Sequence, residues 1–442
     1  MAQYNKDTQD FIANNKTLFE TVMIADRDGE VAHPTSPLAV SIHTPSYGGV
    51  DVTSKNRMKV SNYQTVFFNT FQFGKETDVW DEQATNGASA VHNSTTNNVD
   101  MEVTATAGSK IVRQSCNVMR YIPGRVSTLT TSIRLGEPVA GIRKRVGLFD
   151  ENNGIFFELD GEVYSVVVRS SVTGSVVEDR VARDDWNGDK MDGTGPSGLL
   201  ADVTKQQILS IEYEWYGAGQ VKVGFTMNGI THFIHTFNHA NVNALPWAST
   251  PFVPHRLELE NLTGGQAGPT YLYQGSVSVI SDGDSERIGV PMSSMTSLVG
   301  TGMPLVNTFY PVISIRLKSS ALNGIAIPSS FQVSTTDNTT LFYNVVRNAT
   351  ITGGVWADHP DSNSFVQIHQ YTGDAAVISG GTVVDAGAIP SGHGGQVVFD
   401  QTVAYQISRG NLGTTSDTYT IAVASSGANK DAIAAITWIE QR

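Results

Sequence analysis

"IEYEWYGAGQVKVGFTMNGITHFIHTFNHAN", from Ile211 to Asn241, carries three histidines within eight residues, two glutamates between aromatics, and an Asn-Gly pair. As a strand, Ile211, Tyr213 and Trp215 share one face, and Glu212 and Glu214 share the other. "YGAG" turns the chain, after which Val221, Val223, Phe225 and Met227 alternate with Lys222, Gly224 and Thr226. Asn228-Gly229 suits a two-residue hairpin turn, whose central residues take positive φ. "ITHFIHTF" then returns as a third strand. The stretch predicts a three-strand meander with one apolar face.

That period also bears on the histidines. His232 and His235, three apart, are expected on opposite faces. His235 and His239 share a parity but would lie about 13 Å apart at ~3.3 Å per residue. Imidazoles spread in this way do not converge on one ion, so no metal and no cofactor is expected. His239, next to Asn238, is expected to bond a loop backbone.

The rest of the chain reads the same way. Of 442 residues, 42 are glycine and only 16% are charged, a composition that favours short strands and tight turns over helices. Alternating runs such as "YQTVFFNTFQF" and "VSTLTTSIRL" continue the strand pattern. "GIFFELDGEVYSVVVRSS" sets Asp160-Gly161 between two β-rich runs, a hairpin signal. A net charge of −13 excludes nucleic acid as a main partner, since phosphates need Lys and Arg. One cysteine, Cys116, makes no intrachain disulfide and reads as a small core residue. No apolar run reaches the ~20 residues of a membrane span. The N-terminal "MAQYNKDTQD" is polar and unlike a signal peptide, so synthesis in a cytoplasm is expected.

The organisation expected is mostly β. Residues 1–30 form a helical anchor arm, with Phe11, Leu18, Phe19 and Val22 on one stripe that packs on its own domain or docks on a partner. Residues 31–58 form a linker, 59–285 a central antiparallel jelly-roll sandwich, 286–308 a second linker and 309–442 a C-terminal β-sandwich.

Three patterns are candidate sites. Glu158, Asp160 and Glu162, in "ELDGE", resemble the E-x-D-x-E signature of laminarinase-like glycoside hydrolases, whose fold is a concanavalin-like jelly roll. In that family the acids share one strand face at the ~5 Å spacing of a retaining mechanism. Gly161 departs from the pattern, and the Asp160-Gly161 turn is expected to place these acids at a solvated hairpin tip, so no catalytic residue is assigned. Asp185, Asn187 and Asp189 have EF-hand-like spacing, but Lys190 and Pro196 replace the required Gly and Glu, so no dedicated calcium site is expected. Trp186 and Trp247 are the candidate glycan-stacking residues, the bland reading being that such a ring packs beneath its loop.

"VGLFDENNGIFFELDGEVYSVVVRSSVTG" and the opening stretch together resemble virion structural proteins of tailed bacteriophages of marine and cyanobacterial hosts. "YPVISIRLKSSALNGIAIPSSFQV", "AIAAITWIEQR" and the leader "NKTLFETVMIADRDGEV" look like further parts of such proteins. The resemblance implies a non-enzymatic virion surface component, either a tail-associated fibre or adhesin or a capsid decoration protein. It also implies homo-oligomers, contacts with other virion proteins through the arm, and a host surface glycan as a candidate partner. Its rivals are a carbohydrate-binding lectin-like module and a glycoside hydrolase.

Overall fold

The computed structural model describes residues 62–441 except 265–267, 284–287, 372–375, 392–394 and 399–405. The expected arm, with Phe11, Leu18, Phe19 and Val22, and the 31–58 linker lie outside the described residues. Among the described residues, helix is confined to short 3-10 turns, and no helix is long and apolar enough to cross a membrane.

The jelly roll opens with β1 (Tyr63–Asn69), β2 (Trp80–Thr85), β3 (Ser89–Asn93), β4 (Asn98–Val103) and β5 (Lys110–Ser115). It continues with β6 (Ser127–Arg134), β7 (Ile142–Phe149), β8 (Gly154–Asp160), β9 (Val163–Ser170) and β10 (Val177–Ala182). β11 (Gln207–Tyr213), β12 (Val221–Met227), β13 (Ile230–Phe237), β14 (His255–Asn261) and β15 (Thr270–Asp282) complete it. One sheet has eight strands in the order β13-β12-β11-β6-β15-β4-β3, with β1 also on β15. Its partner has seven, in the order β10-β9-β8-β7-β14-β5-β2. All pairings in both sheets are antiparallel, and residues of alternating parity from the two meet in one apolar cluster.

The predicted meander is β11-β12-β13, and Asn228 and Gly229 take φ of 53° and 80°, as its turn requires. One detail differs. A bulge in β13 sets His235 opposite Val223 and His232 opposite Phe225, two residues of the same core face. The extra residue resets the alternation, so these two histidines share a face. No metal-binding group of His, Cys, Asp or Glu exists among the described residues.

The C-terminal residues form two larger antiparallel sheets, of five and six strands, and two two-stranded ones; one apolar cluster there includes Trp438, Phe331, Val312 and Ile421. One is built around Ile325–Ser334 and Lys430–Gln441, the other around Tyr310–Leu317, Leu341–Arg347 and Thr418–Ser425. The 286–308 linker expectation is corrected here. Val290–Met295 and Thr301–Met303 are strands on Lys430–Gln441, a partner too distant in sequence for local pattern to reveal.

The two modules are joined through backbone groups. Arg409 N–H donates to Cys116 O at 2.9 Å, Gln406 Nε2 donates to Val118 O at 3.3 Å, and Leu412 N–H donates to the Asp81 carboxylate. Arg347 pairs with Asp78 at 3.3 Å. Cys116 therefore lies at a seam rather than in a core, and burial pushes its thiol up to about 12, leaving it unreactive.

At the heart of the jelly roll, His255 is fully enclosed, its Nδ1 2.8 Å from Gly147 O and its ring edge-on to Trp80. Burial lowers its imidazole to about 4, against the weaker opposing effect of that hydrogen bond. On acidification the unfolded chain, with histidine near ~6.5, takes up the proton first. The stabilisation is complete above pH ~6.5 and is lost as pH falls toward 4, an effect on the order of 3 kcal/mol. Burial lowers His235, His239 and His369 as well, and they add in the same direction. Thermal melting followed from pH 7 to 4 is expected to show a falling midpoint, with a shallower slope in His255→Phe. An unchanged slope would show that His255 is not the titrating group.

Candidate functional site

The candidate site grows from β8. Its Ile155, Phe157 and Leu159 enter the core, so Phe156, Glu158 and Asp160 point to the opposite, outer face of the seven-stranded sheet. The same alternation sends Arg145 and Phe149 of β7, and Arg256 and Glu258 of β14, to that face. The hairpin itself is displaced by one residue from its expected place. Asp160 pairs with Val163, and the turn is Gly161-Glu162, with Gly161 at φ 58°.

This register corrects the solvated-tip expectation. Glu162 stands in the turn and is exposed, but Glu158 is two residues inside the strand and 1% exposed. Arg145 Nε donates to one of its oxygens and Arg180 Nε to the other, each at 2.7 Å. Across the sheet, Glu158, Arg145 and Glu258 form one register row over three strands. Arg145 also reaches Glu258 at 3.4 Å, and Arg256 Nε donates to Glu258 at 2.8 Å. Arg169 and Arg180 both hold Glu178, and Arg256 also pairs with Glu151. Four arginines thus face four glutamates on this sheet. Arg145 and Arg169 lie over the Phe156 ring, and Arg169 and Arg256 over Phe149, so the guanidinium planes also cover the apolar part of the face.

The electrostatic consequence is clear for Glu258. Burial alone would raise its carboxyl, but Arg256 foremost, with Lys110, Arg145 and Arg169, brings it down to about 2. Glu178 is also held below the ordinary range, with burial opposed by Arg169 and Arg145. A retaining glycosidase needs one carboxyl protonated near neutrality and a second ~5 Å away. Here Glu158 is doubly clamped, and an arginine stands between it and Glu258. The arrangement sets both acids in ion pairs with arginine.

The other sequence candidates are placed as follows. Trp186 is 5% exposed, its Nε1 donating to Val181 O at 3.1 Å and its ring against Phe157. It packs beneath its own loop. Trp247 is 4% exposed, near-parallel to His239 at 5.5 Å. Neither indole is an exposed platform, although Trp247 and His239 line a cavity of about 470 Å3 with Val168, Val177, Asp179 and Leu245. His239 bonds the loop backbone as expected, Nδ1 to Gly219 O at 2.7 Å. In the polar loop, Asp189 accepts backbone N–H groups from Met191 and Ser197, and Asn187 bonds Thr236 of β13 in both directions. These oxygens hold the loop.

Sequence reasoning missed Arg145, Arg180, Arg256, Glu178 and Glu258. A signal existed in "HRLELEN", which places charges at every second position, and in the charge clusters of "IRKRVGLF" and "VEDRVA". Which charge meets which depended on strand order.

Neither a family model nor a curated protein matches the chain. Among solved structures, one reported with endo-acting O-glycanases of human gut bacteria that initiate mucin breakdown has 15% identity and a TM-score of 0.35, covering 49% of this chain and 99% of its own. A family 16 glycoside hydrolase of Bacteroides ovatus, in complex with a mixed-linkage glucan product, has 11% identity and a TM-score of 0.32, covering 48% and 99%. A legume lectin-like domain from Entamoeba histolytica has 13% identity and a TM-score of 0.29, covering 48% and 96%. The likeness spans about half of this chain and says nothing of chemistry.

Removing the shared cation of the row should be costly, because it leaves two buried carboxylates facing each other. Arg145→Ala is expected to lower stability by ~3–5 kcal/mol, measured as the urea-unfolding free energy of the jelly roll. Arg145→Met, combined with Glu158→Gln and Glu258→Leu, should recover most of that loss. A near-neutral Arg145→Ala would show that the row carries little of the fold's stability.

Proposed function

We propose that the chain is a non-enzymatic structural protein of a tailed-bacteriophage particle, displayed on the virion as a tail-associated fibre or adhesin or as a capsid decoration protein. It would be made in the host cytoplasm and assembled there with other virion proteins. The observation that carries the non-enzymatic part is the double arginine clamp on Glu158, the acid at the heart of the hydrolase-like motif. The backbone bonds that join the jelly roll to the C-terminal sheets fit a rigid displayed body. The virion part is supported by the sequence resemblance, and the acidic balance of 42 carboxylates against 29 Lys and Arg would keep many displayed copies soluble.

A second reading, carbohydrate binding, is favoured by a feature outside the clamp. The outer face of the eight-stranded sheet holds a groove of about 840 Å3 lined wholly by polar residues. That volume lies within the ~300–1,000 Å3 typical of ligand sites.

Immunogold electron microscopy of intact particles, with antibody against residues 309–442, tests the first reading. Label over the head is expected for a decoration protein, and label on the tail or its tip for an adhesin. Particles that mass spectrometry shows to lack the chain would overturn it.

A further inference from the structure

The groove on the eight-stranded sheet assembles residues that lie far apart in sequence. Ser132 and Arg134 come from β6, and Lys205 and Gln206 from the loop ahead of β11. Asn97 comes from the β3–β4 turn, where it takes φ 52°, and Asn98 opens β4. A bulge in β15 sets Gly275 and Ser276 against the single residue Ser132, which brings Ser276 into the groove wall. Gln206 Nε2 donates to Ser132 Oγ at 2.6 Å across the floor.

Two properties of the lining restrict what it takes. All eleven lining residues are polar, the mixture of amides and hydroxyls that hydroxyl-rich ligands need and apolar peptides do not. None of the eleven is a carboxylate, while two are cations, in a chain whose acids outnumber its Lys and Arg by 42 to 29. The local charge is therefore opposite to that of the whole.

Arg134 is the focus. Its guanidinium lies over the Tyr273 ring, 3.6 Å from the centroid, which fixes the plane of its donor fork. Among the described residues, no carboxylate pairs with it. A planar fork held in this way matches an oxyanion with two oxygens in one plane. Lys205 pairs with Asp202, at 3.2 Å, and its side chain is 76% exposed. Exposed pairs of this kind contribute little, so the ammonium can turn to an incoming anion at little cost. Two cations are too few for a nucleic acid backbone, and the groove is too large for a free phosphate alone.

We propose that this groove binds an acidic polysaccharide. Arg134 would grip a sugar carboxylate or sulfate, while Gln206, Asn97, Asn98 and Ser276 would read neighbouring hydroxyls. This inference rests on the carbohydrate-binding reading and is independent of where the chain sits on a particle.

Calorimetric titration of the purified full chain tests it, with oligomers of alginate (carboxylated), carrageenan (sulfated) and laminarin (neutral) as probes. One acidic probe should bind, and whichever does names the anion. The neutral probe should bind about tenfold more weakly or less, the loss expected for one charge-assisted contact. Arg134→Ala should weaken the acidic probe by about the same factor. Arg134→Lys, which keeps charge and loses the fork, should fall between. Lys318→Ala, remote from the lining, should bind as the parent does, and matched melting curves guard against unfolding. Equal binding of laminarin would overturn the acidic assignment while leaving carbohydrate binding in place. Undiminished binding by Arg134→Ala would overturn the site. Binding of no probe would overturn this inference and the carbohydrate reading together, without touching the virion reading.

Discussion

Arg113 ties the two jelly-roll sheets together. It leaves β5 of the seven-stranded sheet, crosses the core, and donates from Nε to Gln274 of the eight-stranded sheet at 2.8 Å. Its other nitrogens reach Glu82 and the carbonyl of Lys75, while Phe71 and Trp80 lie against the guanidinium. A charge so deeply enclosed persists only with its donors met, so these partners hold the first loop, the edge strand β2 and the facing sheet in one relation. Apolar packing brings the sheets together without choosing a register; a directional contact fixes one.

The outer face of the seven-stranded sheet solves a related problem in another way. Its central strands carry glutamate and arginine at alternate positions, and strand order sets them side by side. Each buried charge then finds a partner of opposite sign, and aromatic rings fill the intervals beneath the guanidinium planes. Such a face is costly to desolvate and costly to break. On one sheet Glu158 is clamped between Arg145 and Arg180; on the other Arg134 is stacked on Tyr273.

The two faces also differ in what adjoins them. Asp81, on the outer side of edge strand β2, accepts from Leu412 of the C-terminal module, so part of the seven-stranded face contributes to the intramolecular seam. The groove on the eight-stranded sheet is edged by turns and by a bulge, local features that adjust position without disturbing the core beneath.

Much of this was legible in the chain. Period-two alternation gave the β class, Asn228-Gly229 gave a real turn, and the glycine-rich, weakly charged composition excluded a helical body. Local pattern failed where one extra residue or a distant partner decided the outcome. A single bulge in β13 moved His232 and His235 to one face, and a turn at Gly161-Glu162 drew Glu158 inside. Val290–Met295 read as linker because its partner strand lies at the far end of the chain. Sequence by itself determined which residues alternate and where the chain can turn, because those follow from backbone geometry over a few residues. Only the tertiary structure decided that Arg145 stands between Glu158 and Glu258 while Arg134 rests on Tyr273. Such neighbours are set by strand order, and strand order is a property of the whole sheet.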